Sequence, residues 1–156
     1  MTTTLTRVLI LAGALLVLLS VNSSIYQKER VVRTGRTIYV TLAPVDPRSL
    51  MQGDYMALRF RLAEDIESWR ADDPRVRRAP LVVDERGVAA LAPEGAELQI
   101  AFRVRGGRVW LGTNAYFFEE GTGDRYADAR FGEFRVDPNT GEAVLVGLRD
   151  ADLEPL

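Results

Sequence analysis

At 156 residues, 47% apolar and 27% charged, the chain suits one modest globular domain plus an appendage. A formal net charge of -2 excludes the overall basic field that nucleic-acid binding uses. Cysteine and histidine are both absent, which removes disulfides, thiol nucleophiles, thiolate metal sites and the commonest general base together. The basic residues are arginine except for Lys28, a bias that a GC-rich genome accounts for.

Val8 to Tyr26 carries no charged residue, a length close to the roughly 20 residues needed to cross a bilayer. It has no polar face, so a buried core helix is a poor reading. It lacks an Ala-x-Ala cleavage site, so an uncleaved signal anchor is favoured over a cleaved signal. Arg7 and the amino terminus favour a cytoplasmic start, while Lys28, Arg30, Arg33 and Arg36 beyond the span pull the other way. Because a short hydrophobic stretch ahead of a folded domain is how exported domains begin, the domain is expected outside the cytoplasm. Residues 26–33 continue the helix until Gly35. The chain therefore divides into an anchor with its juxtamembrane extension, 1–34, and a single domain, 35–156.

Thr37–Leu42, rich in β-branched residues, reads as the first strand. Asp46 followed by Pro47 marks a helix start, with Asp as N-cap and Pro at the first helical position, and Gly53 closes the turn. From Asp54 to Leu62 the pattern alternates, with Met56, Leu58, Phe60 and Leu62 on the apolar side and Tyr55, Ala57, Arg59 and Arg61 on the other. The polar insertion 63–78 holds Ile66 and Trp69 at helical spacing and predicts a short helix ending before Pro74. A charged lid is one reading of it and a solvated connection the favoured one.

After Pro80 the pattern is β throughout. Leu81–Asp84 and Val88–Leu91 flank a turn at Gly87. Glu97–Arg105 alternates, with Leu98, Ile100, Phe102 and Val104 inward, and turns at Gly106-Gly107 into Arg108–Leu111. Ala115–Phe118 is a further strand, 119–131 a loop with a helical turn, and Gly132–Val136 pairs with Glu142–Leu148 across 137–141. Residues 150–156 read as a frayed end. The fold class is mainly β with a minor α component: an N-terminal transmembrane helix, then an antiparallel barrel or sandwich of about eight short strands.

The run Pro44 to Phe60, with Gly53, Asp54, Tyr55 and Leu58 at the named positions, resembles the signature of the GDYXXLXY family, whose last tyrosine is Phe60 here. The resemblance extends to the hydrophobic segment and to the C-terminal run from Tyr116-Phe-Phe-Glu-Glu-Gly121 through Tyr126–Arg130 to Gly147–Arg149. It implies a bacterial, membrane-associated protein. Such proteins are often encoded with, or fused to, multi-spanning membrane proteins, which implies a membrane partner, and the resemblance brings no activity.

The chemistry in the residues themselves is sparse. Leu50–Asp54 is similar to a turn-into-strand segment of signal peptidases, but Pro44 stands where a serine nucleophile would be and the sole lysine is juxtamembrane, so the activating base is missing. Asp46, Asp54, Glu119 and Glu120 are candidates for a carboxylate pair, although cap and turn roles account for the two aspartates. Asp137–Glu142 fails the EF-hand spacing, and Gly121-Thr-Gly123 lacks the phosphate-loop lysine. No cofactor or metal is called for. Asp46, Arg48, Gly53, Asp54, Tyr55, Glu120 and Arg130 remain as a binding or bracing cluster, the charged ones pairing to fix the long loops or to form a recognition patch. The expected protein is a non-enzymatic partner of an envelope or multi-spanning membrane protein, anchored through residues 8–26 in the bacterial cytoplasmic membrane. A carboxylate-dependent hydrolase of envelope polymers is the alternative, and a soluble carrier with a cavity inside the barrel a third.

Overall fold

The computed structural model of the chain describes residues 2–43, 51–52 and 55–156. Helix α1 (Thr2–Thr34) is about 50 Å long at 1.5 Å per residue, against roughly 30 Å of bilayer hydrocarbon. Leu9, Leu11, Leu15 and Leu18 lie exposed along its apolar stretch. The hydroxyls of Ser20 and Ser24 donate to carbonyls one turn back, of Leu16 and Ser20, so these polar groups are satisfied within the helix itself. The far end is different in kind. Val31 is buried, Lys28 pairs with Glu142 of the domain, and Glu29 meets Arg33 at 2.6 Å in the favourable i, i+4 order.

Gly35 ends the helix because nothing larger fits. Its amide donates to the Val31 carbonyl at 2.8 Å. A Cβ there would lie 2.5 Å from the Val31 oxygen and 3.0 Å from the Val136 nitrogen. The chain therefore passes from helix to strand with no linker.

Strand β1 (Arg36–Thr41) pairs with β10 (Phe131–Val136), which pairs with β11 (Ala143–Arg149), both antiparallel. β2 (Met51–Gln52), β3 (Tyr55–Ala57) and β9 (Ala115–Phe117) form a second sheet. β5 (Ala89–Leu91), β4 (Arg78–Val83) and β6 (Leu98–Ala101) form a third, and β7 (Arg103–Arg105) with β8 (Arg108–Trp110) a hairpin. Helix α2 (Arg61–Trp69) runs on into a 3-10 turn, Arg70–Asp72. Ile38, Val40, Phe60, Ile66, Leu81, Ile100, Leu111 and Phe134 fill the core that these elements share.

The expected class holds: an apolar N-terminal helix, then antiparallel sheets of short strands. Among the described residues the strands make separate sheets and no closed barrel; a parallel bridge from Tyr39 to Val88 links two of them.

Three local expectations need correction. The strand from Asp54 to Leu62 stops at Ala57, and α2 begins at Arg61. Leu62 fits the strand period set by Leu58 and Phe60, and equally the helix period that continues to Ile66 and Trp69; the buried face of α2 decides it. The ribbon Glu97–Arg105 breaks at Phe102. Up to that point it pairs with β4, with Phe102 still donating to the Arg77 carbonyl; beyond it the partner is β8. Its inward residues are as expected, with Leu98, Ile100 and Phe102 buried. The C-terminus is not frayed: Asp150 accepts the amides of Asp152 and Glu154, and Pro155 bridges back to Arg149.

Candidate functional site

A half-open cleft of about 480 Å³ lies between the segment Ala57–Phe60, helix α2 and strand β8. Each wall follows from local periodicity. Leu58 and Phe60 point into the core, so Arg59 between them points out. The Leu58 amide donates to the Asn114 carbonyl at 2.7 Å, which fixes the floor. On α2, Leu62, Ala63 and Ile66 are buried, which leaves Glu64 and Glu67, one helical step apart, on the cleft side. The Glu67 carboxylate accepts the Val109 amide at 2.6 Å and so ties the helix to the edge of β8.

The opposite rim is cationic and aromatic. Val109 is buried, so Arg108 and Trp110 on either side of it face outward and line the cleft. Arg105 stands opposite Arg108 in the ladder, and its guanidinium lies 5.4 Å from the centre of the Trp110 ring, within cation–π range. No ion pair among the described residues takes Arg59 or Arg108. The cleft thus offers two arginines, two glutamates and an indole. That set suits a ligand with an anionic group and a flat or apolar body.

Of the residues singled out from sequence, Asp46, Arg48, Gly53 and Asp54 lie outside the described residues. Tyr55 is half-buried in β3, across the ladder from Phe117, with ring centroids 5.8 Å apart. Phe117 is 73% exposed. Glu120 is exposed after β9, and Arg130 donates to the neighbouring Ala129 carbonyl. No ion pair among the described residues joins these two. The 119–130 loop is held by its backbone, with the Arg130 amide donating to the Arg149 carbonyl and its carbonyl accepting from Leu42, both at 2.8 Å, and by aromatic contacts: Tyr126 meets Tyr116 edge-on and stacks on Phe118, each at 5.3 Å. Burial pushes the Tyr116 phenol above its usual value, Tyr126 adds to the rise, and Arg125 opposes it.

The residues that line the cleft sit partly in the 63–78 insertion, and the lid reading of that segment was the one signal that pointed toward them. Arg108 and Trp110 gave no such signal. The strongest buried charge was also missed: Glu133, 7% exposed, whose Oε2 accepts from Arg149 Nε at 2.8 Å and Nη2 at 2.5 Å, with Arg135 at 3.7 Å from Oε1.

An apolar helix joined through one glycine to a small antiparallel-sheet domain defines a helix-tethered protein, by length and composition able to cross a membrane once. The chain belongs to the GDYXXLXY protein family, whose sequence model matches residues 17–148. No curated protein and no solved structure matches it. The signature now has a structural meaning. Its tyrosine, Tyr55, faces Phe117 on a sheet surface, while Leu58 and Phe60 are core. Phe60 lies edge-on to Phe134 at 5.1 Å, and a Cβ on Gly132 would come within 2.8 Å of its ring. The ring at position 60 is thus seated in the core, in room that the glycine at 132 leaves for it.

Proposed function

We propose that this chain is a single-pass accessory protein of the bacterial cytoplasmic membrane, whose domain stands on the extracytoplasmic side and binds a multi-spanning membrane protein without transforming a substrate. The observation that carries this reading is α1: its apolar window is entirely unburied within the chain, and an exposed stripe of that size calls for lipid or another apolar partner. The Lys28–Glu142 contact and buried Val31 support it further, since they hold the domain close to the end of the span. Beside the cleft Arg59 stands exposed, and arginine is among the residue types that anchor protein interfaces.

The test is affinity purification of the tagged full chain from detergent-solubilised membranes, beside the signature variant Asp54→Ala. The expected result is a specific multi-spanning companion with the wild type and a reduced yield with the variant; recovery of no companion sinks the partner reading. Protease added to spheroplasts should cleave the domain. Protection until the membrane is lysed would place the domain in the cytoplasm.

A second reading rests on Glu64 and Glu67 lining one cleft, as a hydrolase of envelope polymers would need of two carboxylates. Release of soluble fragments from purified envelope polymer, abolished in Glu64→Gln, would establish it in place of the first.

A further inference from the structure

The β7–β8 hairpin gathers positive charge on one face. In its register Arg103 faces Trp110 and Arg105 faces Arg108, so these four side chains share the face opposite buried Val109. Like charges directly opposite in a ladder are unfavourable. None of these arginines has an ion-pair partner among the described residues, in a chain whose net charge is -2. Inside the chain only Arg105 is answered, by the Trp110 ring at 5.4 Å, so the positive charge gathered on this face points to an anion outside the chain.

The position of the hairpin says which anion. At its base the Ala101 amide donates to the Gly141 carbonyl at 2.7 Å, and Gly112 runs so close to Ala143 that a Cβ would lie 2.8 Å from its carbonyl oxygen. Between these two contacts lies Glu142, the residue that Lys28 of α1 pairs with. Lys28 is two residues beyond the uncharged run that ends at Tyr26. The root of the hairpin is therefore held at the level where the helix leaves its apolar stretch, and each three-residue strand reaches about 10 Å from there. At its tip Gly106 and Gly107, at φ 56° and 79°, add no side chain beyond the arginines. An indole among guanidinium groups is the side-chain set of a membrane interface.

From this we infer that the β7–β8 ribbon lies on the anionic headgroups of the membrane that α1 crosses, with Arg103, Arg105 and Arg108 on phosphates and Trp110 at the headgroup level. The inference rests on α1 being the membrane anchor, so its test separates the two. Full-length protein carrying Trp69→Phe, which leaves Trp110 as the sole indole, is reconstituted into phosphatidylcholine liposomes with and without phosphatidylglycerol. Flotation reports anchoring, and acrylamide quenching of Trp110 reports the ribbon.

The expected result is flotation with both lipids. Quenching should fall roughly two-fold when phosphatidylglycerol is present, as for an interfacial ring shielded on one side. High salt, or Arg103→Gln, Arg105→Gln and Arg108→Gln together, should restore it. Trp69→Tyr in place of Trp69→Phe should give the same quenching ratio; a ratio that changes with the residue at position 69 overturns the assignment to Trp110. Equal quenching in both liposomes, with flotation intact, overturns the ribbon and leaves the anchor standing. Failure to float overturns the anchor itself. Shielding seen only in native membrane vesicles would assign the ribbon to an acidic protein surface and overturn the lipid assignment.

Discussion

The joint between α1 and the β1–β10–β11 sheet and the cleft beside α2 use charge in opposite ways. At the sheet, Glu133 is buried and answered by Arg149 and Arg135, Gly35 and Gly132 admit no Cβ without a clash, and Asp137 accepts backbone amides in its turn. At the cleft, Arg59 and Arg108 stand without ion-pair partners among the described residues, around open volume. Charges closed on one another brace a fold. Charges left open beside a cavity are available to something else.

The sharpest way to break this contrast is at the core beneath the signature. Phe60→Ala removes a ring seated against Phe134 and should cost about 3–5 kcal/mol, read as a lowered denaturation midpoint in detergent. Arg149→Met leaves Glu133 buried without its main partner and should cost about 3 kcal/mol. The double variant Glu133→Gln/Arg149→Met should recover much of that, and equal losses in the single and double variants would mean the pair is not coupled. Gly35→Ala forces a methyl against the Val31 carbonyl and should cost about 1–3 kcal/mol as overpacking, with faster proteolysis around residues 34–36.

A smaller effect is expected from acid. The amides of Thr140 and Asn139 hold the Asp137 carboxyl below its usual value, with Arg30 of α1 contributing last. A depressed folded value means that this stabilisation is fully present above the ordinary carboxylate range and is lost as pH falls through the lowered value. Amide exchange at 139–140 should therefore rise in acid relative to the rest of β10 and β11, and in Asp137→Asn that extra rise should disappear. Smallest of all in stability is Arg59→Ala, within about 0.5 kcal/mol as for surface sites. If the open cleft is the recognition surface, this variant should still reduce companion recovery.

The parts of the molecule that were legible beforehand are those whose signal is local. The apolar run, Gly35 as stop, the turn glycines at 87 and 106–107 and the 137–141 turn all stand where expected, because each is governed by a few neighbouring residues. The end of the signature strand was not legible, since Leu62 satisfies both periods at once. The aromatic contacts of Tyr116, Phe118 and Tyr126 were not legible either, because they join a strand to a loop through side chains that no local period aligns. Charges are recognisable in a sequence, but which of them meet depends on strand register.

The amino-acid order alone determined a helix near the N-terminus long and apolar enough to cross a membrane, an antiparallel body of short strands after it, and a family signature early in that body. Hydropathy and backbone preference act over a few residues and need no fold to be read. Only the tertiary structure decided that Glu133 meets Arg149, that α2 turns Glu64 and Glu67 toward Arg108 and Trp110, and that the hairpin is rooted beside Lys28. Those are contacts between residues distant in the chain, and the packing that joins them is set by the whole core at once.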